Sequence, residues 1–142
     1  MNDWWLLLKT GWIKIIKTMD YKTGLNIKTF ETKALIGRRV GYSSDILEEK
    51  DIKMAVIKAA EDVEGYVFSG TITPTDILVA GSGKEYQEPA YAIETSIYPR
   101  FPVEVKKFKE DFIKFIGNLL LILKQERTGI IFSDESLLIE TK

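Results

Sequence analysis

The chain contains no cysteine and no histidine. The first absence removes disulfides, thiolate nucleophiles and cysteine-ligated zinc or iron–sulfur centres. The second removes the commonest general base near neutral pH and the commonest transition-metal ligand. Any catalysis would have to rest on Asp, Glu, Lys, Arg, Tyr, Ser or Thr, and any metal would be a hard cation held by oxygens. The composition therefore predicts no cofactor and no metal site. An excess of one charge is missing as well: 20 Lys and Arg stand against 21 Asp and Glu. The basic surplus that binds nucleic-acid phosphates is absent, so a nucleic-acid partner is not expected. No apolar run reaches the roughly 20 residues that cross a bilayer. With no cysteine to signal an oxidising compartment, the expected location is cytoplasmic.

What the chain does have is hydrophobic content, 45% of its 142 residues, enough to close one core. Residues 21–142 read as a single α+β domain, preceded by an amphipathic segment over 1–20. In that segment Trp4, Trp5, Leu8, Trp12, Ile15 and Ile16 share a helical face, with Asp3, Thr10, Lys14 and Lys17 opposite, although Gly11 weakens the helix. Lys9, Lys14 and Lys17 lie within the apolar run rather than before it, which argues against a cleaved secretory signal. Trp4, Trp5 and Trp12 are read as membrane or interface residues: the helix either packs on the domain or on a second subunit, or lies in a membrane interface. Met19 is a second candidate for the natural start.

The strongest periodicity runs from Val103 to Gln125. Val105, Phe108, Phe112, Phe115, Ile116, Leu119, Ile122 and Leu123 make an apolar stripe, with Lys106, Lys107, Glu110, Asp111, Lys114, Asn118 and Gln125 on the other side. A shorter helix carries Ile52, Ala55, Val56, Ala59 and Val63 on one face. Its start is signalled by Ser43-Ser44-Asp45, with Glu48 placed for a capping box, and its end by Gly65. Extended structure is expected over 25–42 with a break before Ala34, and over 66–80 with Pro74 at a bulge or an edge. A turn at Gly81-Ser82-Gly83-Lys84 leads to a returning strand over 90–98 with Tyr91, Ile93, Thr95 and Ile97 on one face. Strand-like residues at 130–132 and 137–139 form one bulged strand or a tight hairpin.

After the N-terminal segment the order is strand, helix, strand, strand, helix, strand. This is the split βαβ, ferredoxin-like arrangement: an antiparallel sheet with two helices on one face, here with an extra N-terminal amphipathic helix. In element order it resembles the small trimeric regulatory and metal-tolerance proteins and the dimeric α+β barrels, a likeness that implies no particular function. The uncovered sheet face has to be shielded, and a homo-oligomer or the N-terminal helix would do so.

The candidate ligand-binding residues are Arg38, Arg39, Tyr42, Glu94, Tyr98, Arg100 and Arg127. Arg38 and Arg39, flanked by Gly37 and Gly41, precede the start of the first helix, where free N–H groups favour a small anionic ligand. Tyr98, Arg100 and Arg127 lie near the ends of the long helix and could hold a carboxylate or phosphate. Glu85, Tyr86, Glu88, Tyr91 and Glu94, with Asp76 opposite, form an acidic and aromatic group suited to a hard cation or to acid–base work, although alternation sends Tyr91 and Glu94 to opposite faces. The glycines at 81 and 83 lack the spacing of a phosphate loop. The sparse catalytic inventory favours a non-catalytic, oligomeric module that binds a small ligand or a protein partner. The alternatives are a cofactor-free lyase or isomerase using Tyr42 or Tyr98 with Arg38, Arg100 and Glu94, and a peripheral membrane or assembly protein anchored through residues 1–18.

Overall fold

The computed structural model describes residues 20–39 and 45–142. The expectations for the N-terminal helix, for Trp4, Trp5 and Trp12, and for Tyr42 lie outside the described residues. The elements are β1 (Glu31–Gly37), α1 (Glu49–Glu61), β2 (Gly70–Gly81), β3 (Lys84–Ser96), α2 (Val105–Ile122), β4 (Arg127–Phe132) and β5 (Ser136–Glu140). The strands form one sheet in the order β2-β3-β1-β4-β5, and every neighbouring pair is antiparallel. The first four are the ferredoxin-like set. The fifth arises because Ser133-Asp134-Glu135 turns the chain back, so the last apolar residues form a hairpin rather than one bulged strand.

Both helices cover one face. Alternate residues of β1, Thr32, Ala34 and Ile36, are buried beneath them, as are Tyr91 and Ile93 of β3, Ile97 just past its end, and Ile130 and Phe132 of β4. The period of two delivers one row per strand to the core. From α1 come Ile52, Ala55, Val56 and Ala59, followed by Val63 just past its end; from α2 come Phe108, Phe112, Phe115, Ile116, Leu119 and Leu120. Each large side chain taken fully from water contributes about 1.5–3 kcal/mol before entropy is counted. Asn118 ties the helices together by donating to the Ala59 carbonyl at 3.2 Å.

Several details depart from the sequence pattern. Helix α1 starts after Glu48, whose N–H donates to the Asp51 carboxylate at 3.3 Å; the reciprocal cap lies three residues beyond the predicted Asp45. The stripe on α2 is rotated, so that Leu120 is buried while Val105 and Ile122 are exposed. Asp111, placed on the polar side, is buried and held by Lys107 at 3.0 Å. Burial, and then the charge of Asp111, pushes the Tyr66 phenol far above its usual range. Pro74 lies on an edge strand, as expected, but β2 is continuous through it, because one side of an edge strand's backbone needs no partner.

The β2–β3 hairpin is longer than the pattern implied. It turns on Ser82 and Gly83, both with positive φ, the conformation that a two-residue hairpin loop requires. Strand β1 accompanies β3 only from Ala90 to Ser96, so residues 76–89 run on as a two-stranded arm. At its root the Arg38 N–H donates to the Pro89 carbonyl at 3.0 Å. Proline has no N–H to return, and the Arg38 carbonyl instead accepts from Leu47 at 2.6 Å. None of the described helices is long and apolar enough to cross a membrane.

Candidate functional site on the open face of the sheet

The sheet face away from the helices contains a hollow of about 630 Å³. Its origin is a parting of two strands. β1 and β4 pair only from Thr32 to Ala34 against Phe132 to Ile130. Beyond Ala34 side chains meet three backbone groups of β1. The Thr128 hydroxyl donates to the Leu35 carbonyl, and the Gln125 amide accepts from the Gly37 N–H and donates to the Gly37 carbonyl. These side chains satisfy the Leu35 carbonyl and both polar groups of Gly37 where the ladder is not continued.

All five strands supply the lining: the open-face row Lys33, Leu35 and Gly37 of β1 with Arg39 beyond it; Ile77 of β2; Tyr86 and Glu88 of β3; residues 124–131 from the link after α2 through β4; and Ser136 of β5. Tyr86 and Glu88 are two apart on β3, so both point to the same face. The Tyr86 hydroxyl donates to a Glu88 carboxylate oxygen at 3.0 Å. That bond raises the Tyr86 pKa, with a smaller opposing pull from the Arg39 charge. The phenol therefore stays protonated through neutral pH, and Glu88 carries the negative charge of the pair. The other Glu88 oxygen lies over Gly37, where an added Cβ would stand 2.8 Å from it. Among the lining side chains, Lys33, Arg39, Lys124 and Arg127 are cationic, while Glu88 and Glu126 are anionic.

The seven candidate residues do not form one site. Arg39 and Arg127 both line this hollow. Arg127 also lies 3.8 Å from Glu126 and 3.7 Å from Glu140. Arg38 turns to the other side of the sheet, where its guanidinium sits 5.0 Å from the centre of the Tyr91 ring and donates to the Leu47 carbonyl at 3.3 Å. The expected anion site built from both arginines is therefore divided between two faces. Glu94 lies 3.7 Å from Lys33 and, with Tyr98, borders a second, hydroxyl-rich hollow at the opposite end of β1. Tyr98 and Phe101 stack in an exposed loop, with Arg100 over Phe101. The acidic and aromatic group splits as alternation requires: Tyr86 and Glu88 reach the first hollow and Tyr91 is buried beneath the helices. Among the described residues no group of carboxylates is arranged to hold a metal ion.

Gln125 and Thr128 were not singled out in the sequence. Gln125 falls on the polar side of the α2 pattern, but the helix ends at Ile122 and Lys124 takes a positive φ of 55°. The turn sends the Gln125 side chain back to β1, and nothing in the periodicity marks it.

No protein-family model and no curated protein sequence matches this chain. Its fold is similar to that of a phage SAM lyase in the apo state, with a TM-score of 0.66 and 13% identity over 87% of this chain and 96% of that one. It is likewise similar to a phage SAM lyase in complex with S-methyl-5'-thioadenosine, with a TM-score of 0.60 and 14% identity over 86% and 97% of the two chains. At such identity the likeness establishes the fold.

Proposed function

We propose that this protein is a lyase that cleaves S-adenosylmethionine and releases S-methyl-5'-thioadenosine, with the reaction seated in the open-face hollow. The observation that carries the reading is the Tyr86–Glu88 pair in that hollow, on a chain whose fold runs nearly end to end with those of SAM lyases. It replaces the expectation of a non-catalytic module and stays within the inventory the composition permits.

The chemistry asks little of a protein. The substrate sulfur is already a cation, so when the bond to the aminobutyrate chain breaks, the electron pair returns to sulfur and a neutral thioether leaves. The carbon side is balanced in one of two ways: its own carboxylate oxygen bonds to the carbon that sulfur leaves, closing a lactone, or the neighbouring carbon loses a proton to a base and a double bond forms. Neither route needs an oxidant or a reductant. An anionic Glu88 offers a counter-charge that binds and orients the sulfonium, and Arg39 and Arg127 offer donors that orient the substrate carboxylate. The protonated Tyr86 keeps Glu88 fixed by donating its O–H to the carboxylate. A site that positions a sulfonium against its own carboxylate accelerates ring closure chiefly by orientation.

The test is to incubate purified protein with S-adenosylmethionine and separate the products by chromatography. S-methyl-5'-thioadenosine should accumulate in proportion to protein, and the four-carbon product identifies the route. Release no faster than the spontaneous breakdown of S-adenosylmethionine would remove the proposal.

A further inference from the structure

We propose that Gly37 and Gln125 are positioning residues that together form a seat for the Glu88 carboxylate, fixing where the negative charge of the hollow is held. The relevance of this seat to turnover rests on the reading of the hollow as the reaction site. The seat itself stands on geometry.

Three observations converge on one spot. Gly37 has no side chain where β1 leaves its pairing with β4, and a Cβ there would stand 2.8 Å from Glu88 Oε1. The same Cβ would lie 3.6 Å and 3.7 Å from the amide atoms of Gln125. Gln125 in turn grips Gly37 at both its N–H and its carbonyl and reaches the Arg39 carbonyl at 3.4 Å. One amide therefore does the work that β4 backbone does elsewhere along β1, and it anchors the strand end that carries Arg39. A carboxylate oxygen fills the space above Gly37, and its second oxygen accepts from Tyr86. The backbone at Gly37 does not demand glycine, because it shows no positive φ. What the position forbids is a Cβ competing with the Glu88 side chain.

This gives Gly37→Ala an unusual character. The atom in the way is the end of a flexible side chain, so the fold can absorb the methyl group while the carboxylate shifts away from Tyr86. Gln125→Met keeps the volume of the side chain but removes both bonds to Gly37, and it is the variant more exposed to destabilisation. Gly37→Ala acts on the carboxylate directly, and Gln125→Met acts through the Gly37 backbone beneath it.

The experiment compares wild type, Gly37→Ala, Gln125→Met and Glu88→Gln. Each is measured for Tm, for the titration of Tyr86 followed by carbon NMR of ring-labelled tyrosine with Tyr86→Phe as the assignment control, and for kcat and KM on S-adenosylmethionine. The charges able to act on that titration are Glu88 and Arg39 beside the phenol, with Lys33, Lys124, Glu126 and Arg127 around the hollow. In Gly37→Ala the Tm should stay close to wild type while the Tyr86 midpoint falls by roughly half a unit or more, towards that of Glu88→Gln. The kcat should fall about tenfold or more with KM changed much less, the signature of a misplaced group. An unchanged Tyr86 midpoint in Gly37→Ala would overturn the seat, whether or not Gln125→Met remains folded. If wild type releases no product but the midpoint moves, the seat stands and the assigned reaction fails; if product forms and the midpoint does not move, the reverse holds.

Discussion

The two faces of this sheet obey different rules although the same strands build both. On the helix face Ala34, Ile36, Tyr91, Ile93 and Ile130 are almost fully removed from water, and Phe112 and Phe115 close over them. On the other face the same strands present Lys33, Leu35 and Gly37, then Tyr86, Glu88 and Arg127, around a hollow. One face is held chiefly by area removed from water. The other is held by single hydrogen bonds between partners far apart in sequence, such as Gln125 with Gly37, and among the described residues it buries no large side chain. Stability should therefore track the first face and chemistry the second.

The largest expected effect breaks the covered face. Phe112→Ala removes a fully buried ring and should cost about 3–5 kcal/mol in urea unfolding, with kinetic constants per folded molecule unchanged. The next breaks the open face: Glu88→Gln should slow release of S-methyl-5'-thioadenosine by about 100-fold through loss of substrate orientation, while leaving the unfolding midpoint nearly unmoved. Gly70→Ala sharpens the comparison, because a Cβ at Gly70 would collide with the Glu94 backbone carbonyl, which cannot swing aside as Glu88 can beside Gly37. It should cost about 1–3 kcal/mol by denaturation, and a loss no larger than that of Gly37→Ala would show that backbone and side-chain obstacles are equivalent here.

The smallest effect concerns Lys109, which pairs with Asp134 at 2.9 Å and Glu135 at 2.8 Å and lies over the rings of Phe30 and Phe132. Its hydrogen bonds to Glu135 and then Asp134 raise its pKa. The folded state thus holds this proton more tightly than the unfolded chain. The stabilisation is complete below the ordinary lysine pKa of about 10.5 and is lost as pH rises through the folded value. Lys109→Met should lower Tm slightly at pH 8, and the gap from wild type should narrow above pH 11; a gap that is constant with pH would assign the effect to packing alone.

The covered face was legible because helix and strand periods report burial directly. Ile52, Ala55, Val56, Ala59 and Val63 are all buried as the spacing predicts, and the split βαβ order followed from it. Errors there were local: the start of α1 moved by one turn, and Asp111 entered the core because Lys107 stays beside it to neutralise it. The open face was far less legible. Its residues come from the end of one strand, the middle of an arm and the link after α2, and no periodicity connects positions 37, 39, 86, 88 and 125. Tyr86 and Glu88 were visible as an acidic and aromatic group, and Arg39 and Arg127 as cations. Their convergence was not, because it depends on where β1 and β4 separate.

The most direct measurement counts S-methyl-5'-thioadenosine formed from S-adenosylmethionine by wild type and by Glu88→Gln at equal concentrations of folded protein. Release that scales with wild-type protein and drops about 100-fold in the variant at nearly unchanged Tm is the predicted result. Equal release from both, or none above the spontaneous rate from either, would contradict the assignment of this chemistry to the open face.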